Sequence, residues 1–172
     1  MVYVGIGGVC SLVLVGWYIL YSDWWLMIRE IIRPLLQEVY QDDGWKMLVC
    51  CMLLNLTNRK QVDTIRDELF KRYPTPQVMM NANQSELADL LQPLGLYNRR
   101  AKSLIKMSKG YVKGFKDVSE LYGIGQYAND SWEIFQNNNR KVNPTDKVLL
   151  EYLRVTIWHQ DLVRNHQWIV SL

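Results

Sequence analysis

Two glycines and a downstream carboxylate are the residues of this chain whose types and spacing could do chemistry. Gly123, Ile124 and Gly125 can form a tight turn whose backbone N–H groups face outward together. The helical pattern that begins at Gln126 would add its own unpaired N–H groups and the positive end of its dipole. Asp146 follows and would place one carboxylate near the bound group. The spacing predicts a site that holds a phosphate beside an acid.

The segments that must position these residues carry helical periodicity. Apolar residues recur at steps of three and four from Trp25 to Tyr40, and the wholly apolar run from Met47 to Leu54 is typical of a buried central helix. Further helices are predicted from Val62 to Tyr73, near Pro76, from a Ser85 cap to Leu91, from Asn98 to Val112, from Gln126 to Gln136, from Pro144 to about Trp158 and near Val163 to Val170. The sequence contains no alternating strand of useful length, so the predicted fold class is all-α.

Composition fits one domain without a metal. The 172 residues, 49% of them hydrophobic, are enough to bury a single core, and a net charge of +3 permits binding to a polyanion without requiring it. Cys10, Cys50 and Cys51 lack metal-ligand spacing, which favours simple burial in a reducing compartment. His159 and His166 stand without a ligand cluster. We predict no metal site.

Residues 1–22 form a separate apolar segment, and residues 23–172 form the predicted domain. The first 22 residues contain no Asp, Glu, Lys or Arg. One interpretation is a transmembrane helix, in which case Arg29, Arg33 and Lys46 just beyond it would keep the domain cytoplasmic. The alternatives are an apolar extension that packs on the domain, or a start taken from unprocessed gene sequence.

Four segments carry a resemblance to a known family. They are GWKMLVCCMLLNLT, PLGLYNRRAK, ELYGIGQYANDSW and VNPTDKVLLEY, and they occur in the family's order between about Gln37 and Trp158. This stretch resembles the helix-hairpin-helix DNA glycosylase superfamily, most closely the branch with the thymine glycosylase domain of methyl-CpG-binding domain protein 4. The resemblance implies a two-lobed helical fold with the DNA-facing cleft between the lobes.

The resemblance also implies a reaction. It predicts a monofunctional enzyme that flips mispaired thymine or uracil opposite guanine out of double-stranded DNA and cuts its N-glycosidic bond in base excision repair. Some branches hold an iron-sulfur cluster on four closely spaced cysteines after the catalytic Asp. Such cysteines are absent after Asp146 in this sequence, so no cofactor is expected. We expect a nuclear monomer.

Three residues would form the reaction site by this resemblance, and each has a plainer interpretation. Asp146 matches the catalytic carboxylate, although Asn143, Pro144 and Asp146 also fit the N-cap, N1 and N3 positions of a helix. Tyr127 stands where relatives that nick the DNA backbone have a lysine, and it would line the base pocket or simply pack in the core. Gln37 would hydrogen-bond the flipped base or face solvent.

Other residues would contact DNA. Leu96 matches an apolar wedge that enters the base stack, or it closes the preceding helix by a hydrophobic contact. Leu56 is a departure, because the family has an arginine there that fills the vacated space. The remaining predicted contacts are Gly123, Ile124, Gly125, Gln126, Arg99, Arg100 and Lys147.

Two other function classes remain open at this point. The first is a DNA-binding module that kept the hairpin and lost catalysis, and the presence of Asp146 disfavours it. The second is a membrane-anchored helical interaction protein, suggested by residues 1–22.

Overall fold

The computed structural model of the protein describes residues 34–157. The predicted membrane-spanning segment 1–22, the helical pattern before residue 34 and the predicted last turn near Val163 to Val170 lie outside the described residues. Among the residues that are described, no helix is both long enough and apolar enough to cross a membrane.

Eight α-helices and two short 3-10 turns make up the described region. The helices are α1 (Leu36–Val39), α2 (Gly44–Leu54), α3 (Arg59–Arg72), α4 (Pro76–Met80), α5 (Gln84–Leu91), α6 (Tyr97–Lys113), α7 (Gln126–Phe135) and α8 (residues 147–157). The 3-10 turns are Gln92–Leu94 and Val118–Glu120. Residues 34–157 contain no strand, and the predicted all-α fold class is confirmed.

Helix α2 is the centre of the core. Eight of its eleven residues are buried, and it contacts α1, α3, α6 and α7. A helix surrounded in this way has no polar face, which explains its wholly apolar run. Gly44 allows α7 to approach closely, since a Cβ at this position would lie 2.8 Å from the ring of Trp132. The central helix predicted from Met47 to Leu54 is confirmed.

Helix ends follow local capping chemistry, with two corrections to the predicted starts. The predicted end of α3 is confirmed, because the helix ends at Arg72 just before the Tyr73-Pro74 pair. Ser85 is not the cap of α5; the side chain of Asn83 accepts the Ser85 N–H, and the helix begins two residues earlier than expected, at Gln84. Helix α8 begins at residue 147 and not at Pro144, because the side chain of Asp146 accepts the first free amides of the helix.

Helix α6 has one buried face and one basic face. Its buried face packs against α4 and α5 and includes Ala101, Leu104 and Met107. Its exposed face carries the basic residues Arg99, Lys102, Lys106, Lys109 and Lys113. The helix therefore fixes a row of solvent-facing cations relative to the core.

Candidate active site

A buried polar cluster joins α1 to α7. Gln37 is only 1% exposed, and its Nε2 donates to the hydroxyl of Tyr127 at 2.5 Å and to Oγ of Ser131 at 3.3 Å. Tyr127 and Ser131 are four residues apart, so one helical face presents both to Gln37. The alternative that Gln37 faces solvent is wrong, because α1 packs on both α2 and α7.

Cys51 of α2 belongs to the same cluster. Burial raises the pKa of its thiol to about 12, while hydrogen bonds with Ser131 and Gln37 act in the opposite direction. The thiol therefore stays protonated at neutral pH. Four neutral polar side chains (Gln37, Cys51, Tyr127 and Ser131) meet at this point, and we call them the polar pocket.

Asp146 acts electrostatically on the polar pocket. The pKa of the Tyr127 hydroxyl is raised well above its usual value, chiefly by burial and to a smaller extent by the negative charge of Asp146. The carboxylate is therefore within electrostatic range of the phenol. Tyr127 consequently remains a neutral phenol at neutral pH.

The carboxylate of Asp146 caps helix α8. Its Oδ1 accepts the backbone N–H groups of Val148 and Leu149, both at 3.0 Å. This pattern makes Asp146 the N-cap residue, so its predicted place at N3 is wrong. Oδ1 accepts both hydrogen bonds, and Oδ2 accepts none from the residues that the structure describes. The side chain is half-buried, which leaves one anchored oxygen and one available oxygen.

The glycine turn precedes α7 and packs against α2. Gly123 has a φ of 83°, which an L-residue rarely adopts, and a Cβ there would lie 3.0 Å from Cε of Met52. Ile124 is partly buried and packs against the core, and its N–H donates to the carbonyl of Leu121. The predicted tight turn with an apolar anchor is present.

The amides after the turn face outward. Gly125 is the N-cap residue of α7 and has no side-chain cap. Within the described residues the N–H groups of Gly125 and Gln126 have no hydrogen-bond partner, and both residues are exposed. The side chain of Gln126 bends back and donates to Oδ1 of Asp130 at 2.7 Å. The exposed amides and the dipole of α7 together can hold an anion.

Comparison with known proteins assigns the chain to a family. The model of the HhH-GPD superfamily base excision DNA repair protein matches residues 49–164. The chain belongs to the HhH-GPD superfamily. It is 36% identical over 126 residues to the methyl-CpG-binding domain protein 4-like protein of Arabidopsis thaliana, a match that covers 70% of this chain and 28% of the relative.

Two further relatives agree with this assignment. A thymine-DNA glycosylase of Aeropyrum pernix is 33% identical over 122 residues, covering 66% of this chain and 50% of the relative. A thymine/uracil-DNA glycosylase of Pyrobaculum aerophilum is 36% identical over 94 residues, covering 50% and 41%. The chain thus spans half or less of the length of these relatives.

This HhH-GPD protein exposes two leucines at its predicted DNA contacts. Leu56 is 82% exposed and Leu96 is 54% exposed. Both have a left-handed backbone, with φ values of 60° and 49°. An exposed Leu96 does not support the alternative that it closes the preceding helix. Their contact with DNA stays a prediction.

Among the predicted cations, Arg100 requires a correction. Its guanidinium is buried and bonds to four backbone carbonyls, so the prediction that it contacts DNA phosphate is wrong. Its spacing from Leu104 and Met107 places it on the apolar face of α6, a signal that could have identified it as buried. Arg99 and Lys147 are exposed, and for them phosphate contact stays a prediction.

Sequence reasoning gave no pocket role to two members of the polar pocket. Ser131 follows Tyr127 by four residues, and that helical spacing could have found it. Cys51 sits within an apolar run, where a thiol has no signal that distinguishes it from an ordinary core residue.

Proposed function

We propose that this HhH-GPD protein is a monofunctional DNA glycosylase that releases thymine or uracil opposite guanine in base excision repair. The observation that carries the proposal is the carboxylate of Asp146, which is anchored through Oδ1 and acts electrostatically on Tyr127 of the polar pocket. Family membership and the glycosylase names of the relatives support it.

The polar pocket suits a flipped pyrimidine. The edge of thymine or uracil offers carbonyl acceptors and an N–H donor, and an uncharged amide, phenol and hydroxyl can complement them without an electrostatic penalty. In this proposal Gln37 and Tyr127 contact the base. Eversion costs a few kcal/mol and costs least for a mispaired base, which favours such substrates over normal pairs.

Asp146 supplies the negative charge that bond cleavage needs. Breaking the N-glycosidic bond leaves positive charge on the sugar, and a fixed carboxylate stabilises such an oxocarbenium-like state. Oδ1 is held by two backbone amides, so the group is already oriented. Oδ2 is then the oxygen that orients or deprotonates the attacking water.

Tyr127 supports a reaction without strand nicking. Nicking of the sugar-phosphate backbone through a covalent intermediate requires an amine that forms a Schiff base, and a phenol cannot form one. The raised pKa of Tyr127 keeps it a neutral hydrogen-bonding group. Borohydride treatment during turnover should trap no covalent complex with DNA.

In this proposal the DNA phosphates are bound by the amides after the glycine turn and by exposed cations. The N–H groups of Gly125 and Gln126 would bind a phosphate oxygen. Arg99 and Lys147 would add charge contacts that position the strand and weaken with added salt.

A single-turnover panel tests the function. Duplexes carry uracil or thymine opposite guanine, uracil opposite adenine, and a normal thymine-adenine pair. We expect free base from the first two, slower release from uracil opposite adenine and none from the last. DNA binding without base release from any duplex would overturn the enzymatic proposal and favour a non-catalytic binding module.

A further inference from the structure

Two leucines of this protein adopt a backbone conformation that leucine avoids. Within residues 34–157, the residues other than glycine with positive φ are Leu56, Leu96 and Asn138. Asparagine tolerates this region, whereas for other L-residues it costs about 1 to 2 kcal/mol each. The two leucines also expose most of their apolar surface. Both features are unfavourable for the isolated protein, and strain of this kind concentrates at functional positions.

One buried side chain connects the two leucines. Nη2 of Arg100 donates to the carbonyl of Asn55 at 2.7 Å, and its Nε donates to the carbonyl of Gly95 at 2.9 Å. These carbonyls belong to the residues immediately before Leu56 and Leu96. Because both carbonyls are bound by a single guanidinium, the two turns are neighbours in space.

The same guanidinium is fixed to the end of α2. Its Nη1 donates to the carbonyls of Met52 and Leu53 at 3.0 and 3.2 Å, which the end of a helix leaves without a helical partner. Arg100 is only 8% exposed and lies in the first turn of α6. A planar group with five donors can hold this set of carbonyls in one geometry, whereas the ammonium of lysine cannot.

We infer that Leu56 and Leu96 are a pair of apolar wedges, mounted on Arg100, that enter the base stack together when the target nucleotide leaves it. This inference rests on the proposed function. The family resemblance already implies insertion at both positions, by a leucine at Leu96 and by an arginine where this chain has Leu56. The common mount on Arg100 and the apolar filling by Leu56 are what this chain adds. Arg100 is thus a positioning residue and makes no contact with DNA.

The pair has a consequence for selectivity. A leucine side chain has no donor or acceptor, so Leu56 cannot hydrogen-bond the base left without its partner. The pair fills the vacated space by apolar contact. Selection among substrates therefore depends on how easily the base pair opens and little on reading the opposite base.

The experiment compares a paired substrate with a pre-opened one. Uracil opposite guanine must be unpaired before release, whereas uracil opposite an abasic-site analogue has no partner to lose. Single-turnover rates are measured for wild type, Leu56→Ala, Leu96→Ala, the double variant and Arg100→Lys. Val78→Ala is the matched control, since Val78 is an exposed aliphatic residue on α4 outside the site.

We expect each single leucine variant to lower the rate on the guanine-paired substrate about tenfold or more and the rate on the pre-opened substrate less than threefold. The fluorescence of 2-aminopurine placed next to the uracil should rise on binding of wild type and much less on binding of the double variant. Arg100→Lys should reproduce the double variant. Val78→Ala should match wild type in both measurements.

Several outcomes would overturn the inference. Equal losses on both substrates would indicate a general structural role, and an unaffected Leu56→Ala would remove the second wedge. If Arg100→Lys fails to fold by circular dichroism, the two leucine variants still decide the matter, because exposed side chains contribute little to folding. Absence of base release by wild type on every substrate would refute the proposed function, and an unchanged 2-aminopurine signal would then refute the wedges separately.

Discussion

Replacement of Asp146 by asparagine separates the two roles that one side chain carries. Oδ1 of Asp146 caps α8 through two amides at 3.0 Å, and the carboxylate charge is proposed to act on the sugar. Asparagine keeps a carbonyl oxygen in the capping position and is about as good an N-cap as aspartate. It removes only the charge. Alanine removes both the cap and the charge.

The two variants should rank differently in stability and in activity. Loss of the charge costs about 0.3 to 1 kcal/mol of helix-dipole interaction, and loss of the cap costs about 0.5 to 2 kcal/mol. For a domain of this size, 1 kcal/mol lowers Tm by roughly 2 to 4 °C. Asp146→Asn should therefore melt above Asp146→Ala. Both should lose about 100-fold or more in the rate of base release, the range that a positioned catalytic base contributes.

Single-turnover release of uracil opposite guanine, measured with thermal melting and DNA binding, is the assay. Asp43→Asn is the matched control, since Asp43 caps α2 by accepting the Lys46 N–H at 3.0 Å. Asp43→Asn makes the same replacement of carboxylate by amide outside the site, and this variant should keep wild-type activity. Wild-type turnover by Asp146→Asn would refute the catalytic role. An equal loss in Asp43→Asn would show that cap neutralisation alone explains the effect.

Three further predictions concern the turn, the core and alkaline pH. Gly123→Ala should lower Tm by several degrees, because Gly123 has a φ of 83°. Gly125→Ala should keep Tm, because there is open space around the new Cβ, and should weaken duplex binding measured by fluorescence anisotropy. Unchanged binding by Gly125→Ala would contradict a phosphate at these amides. Ser108→Ala should cost about 1 to 3 kcal/mol in urea unfolding, because it leaves the buried Nε1 of Trp45, now 3.0 Å from Oγ, without an acceptor. Burial raises the pKa of Cys51 to about 12, so the folded state keeps a proton that the unfolded chain loses above about pH 9. The free energy of unfolding should therefore fall between pH 9 and 12, by up to about 1.4 kcal/mol per pH unit for this thiol. Cys51→Ala should show a shallower fall.

Periodic and local signals were enough to predict most helices. The apolar run from Met47 to Leu54 identified the buried central helix, since a helix without a polar face must be surrounded. The Tyr73-Pro74 pair marked the end of α3, because proline restricts the residue before it. These features depend on neighbouring residues in the chain, so the sequence alone carries them.

Long-range hydrogen bonds were beyond such signals. The basic character of Arg100 suggested a phosphate contact, but its acceptors include carbonyls more than forty residues earlier in the chain. Asp146 was predicted at N3 and lies at the N-cap of α8 for a different reason. Pro144 and Asp146 both fit a helix start, and only the folded backbone decides which amides the carboxylate reaches.

The end of α2 is the common support for the elements proposed to act on DNA. The carbonyl of Met52 accepts a hydrogen bond from Arg100, which holds the turns of Leu56 and Leu96. The side chain of Met52 lies against Gly123 of the glycine turn. Cys51, the residue directly before Met52 in the same helix, contributes to the polar pocket. The two leucine turns, the glycine turn and the polar pocket are thus all positioned by one helix that is packed on several sides. Such packing makes their relative positions a property of the core, so a small shift of α2 would misalign all three at once.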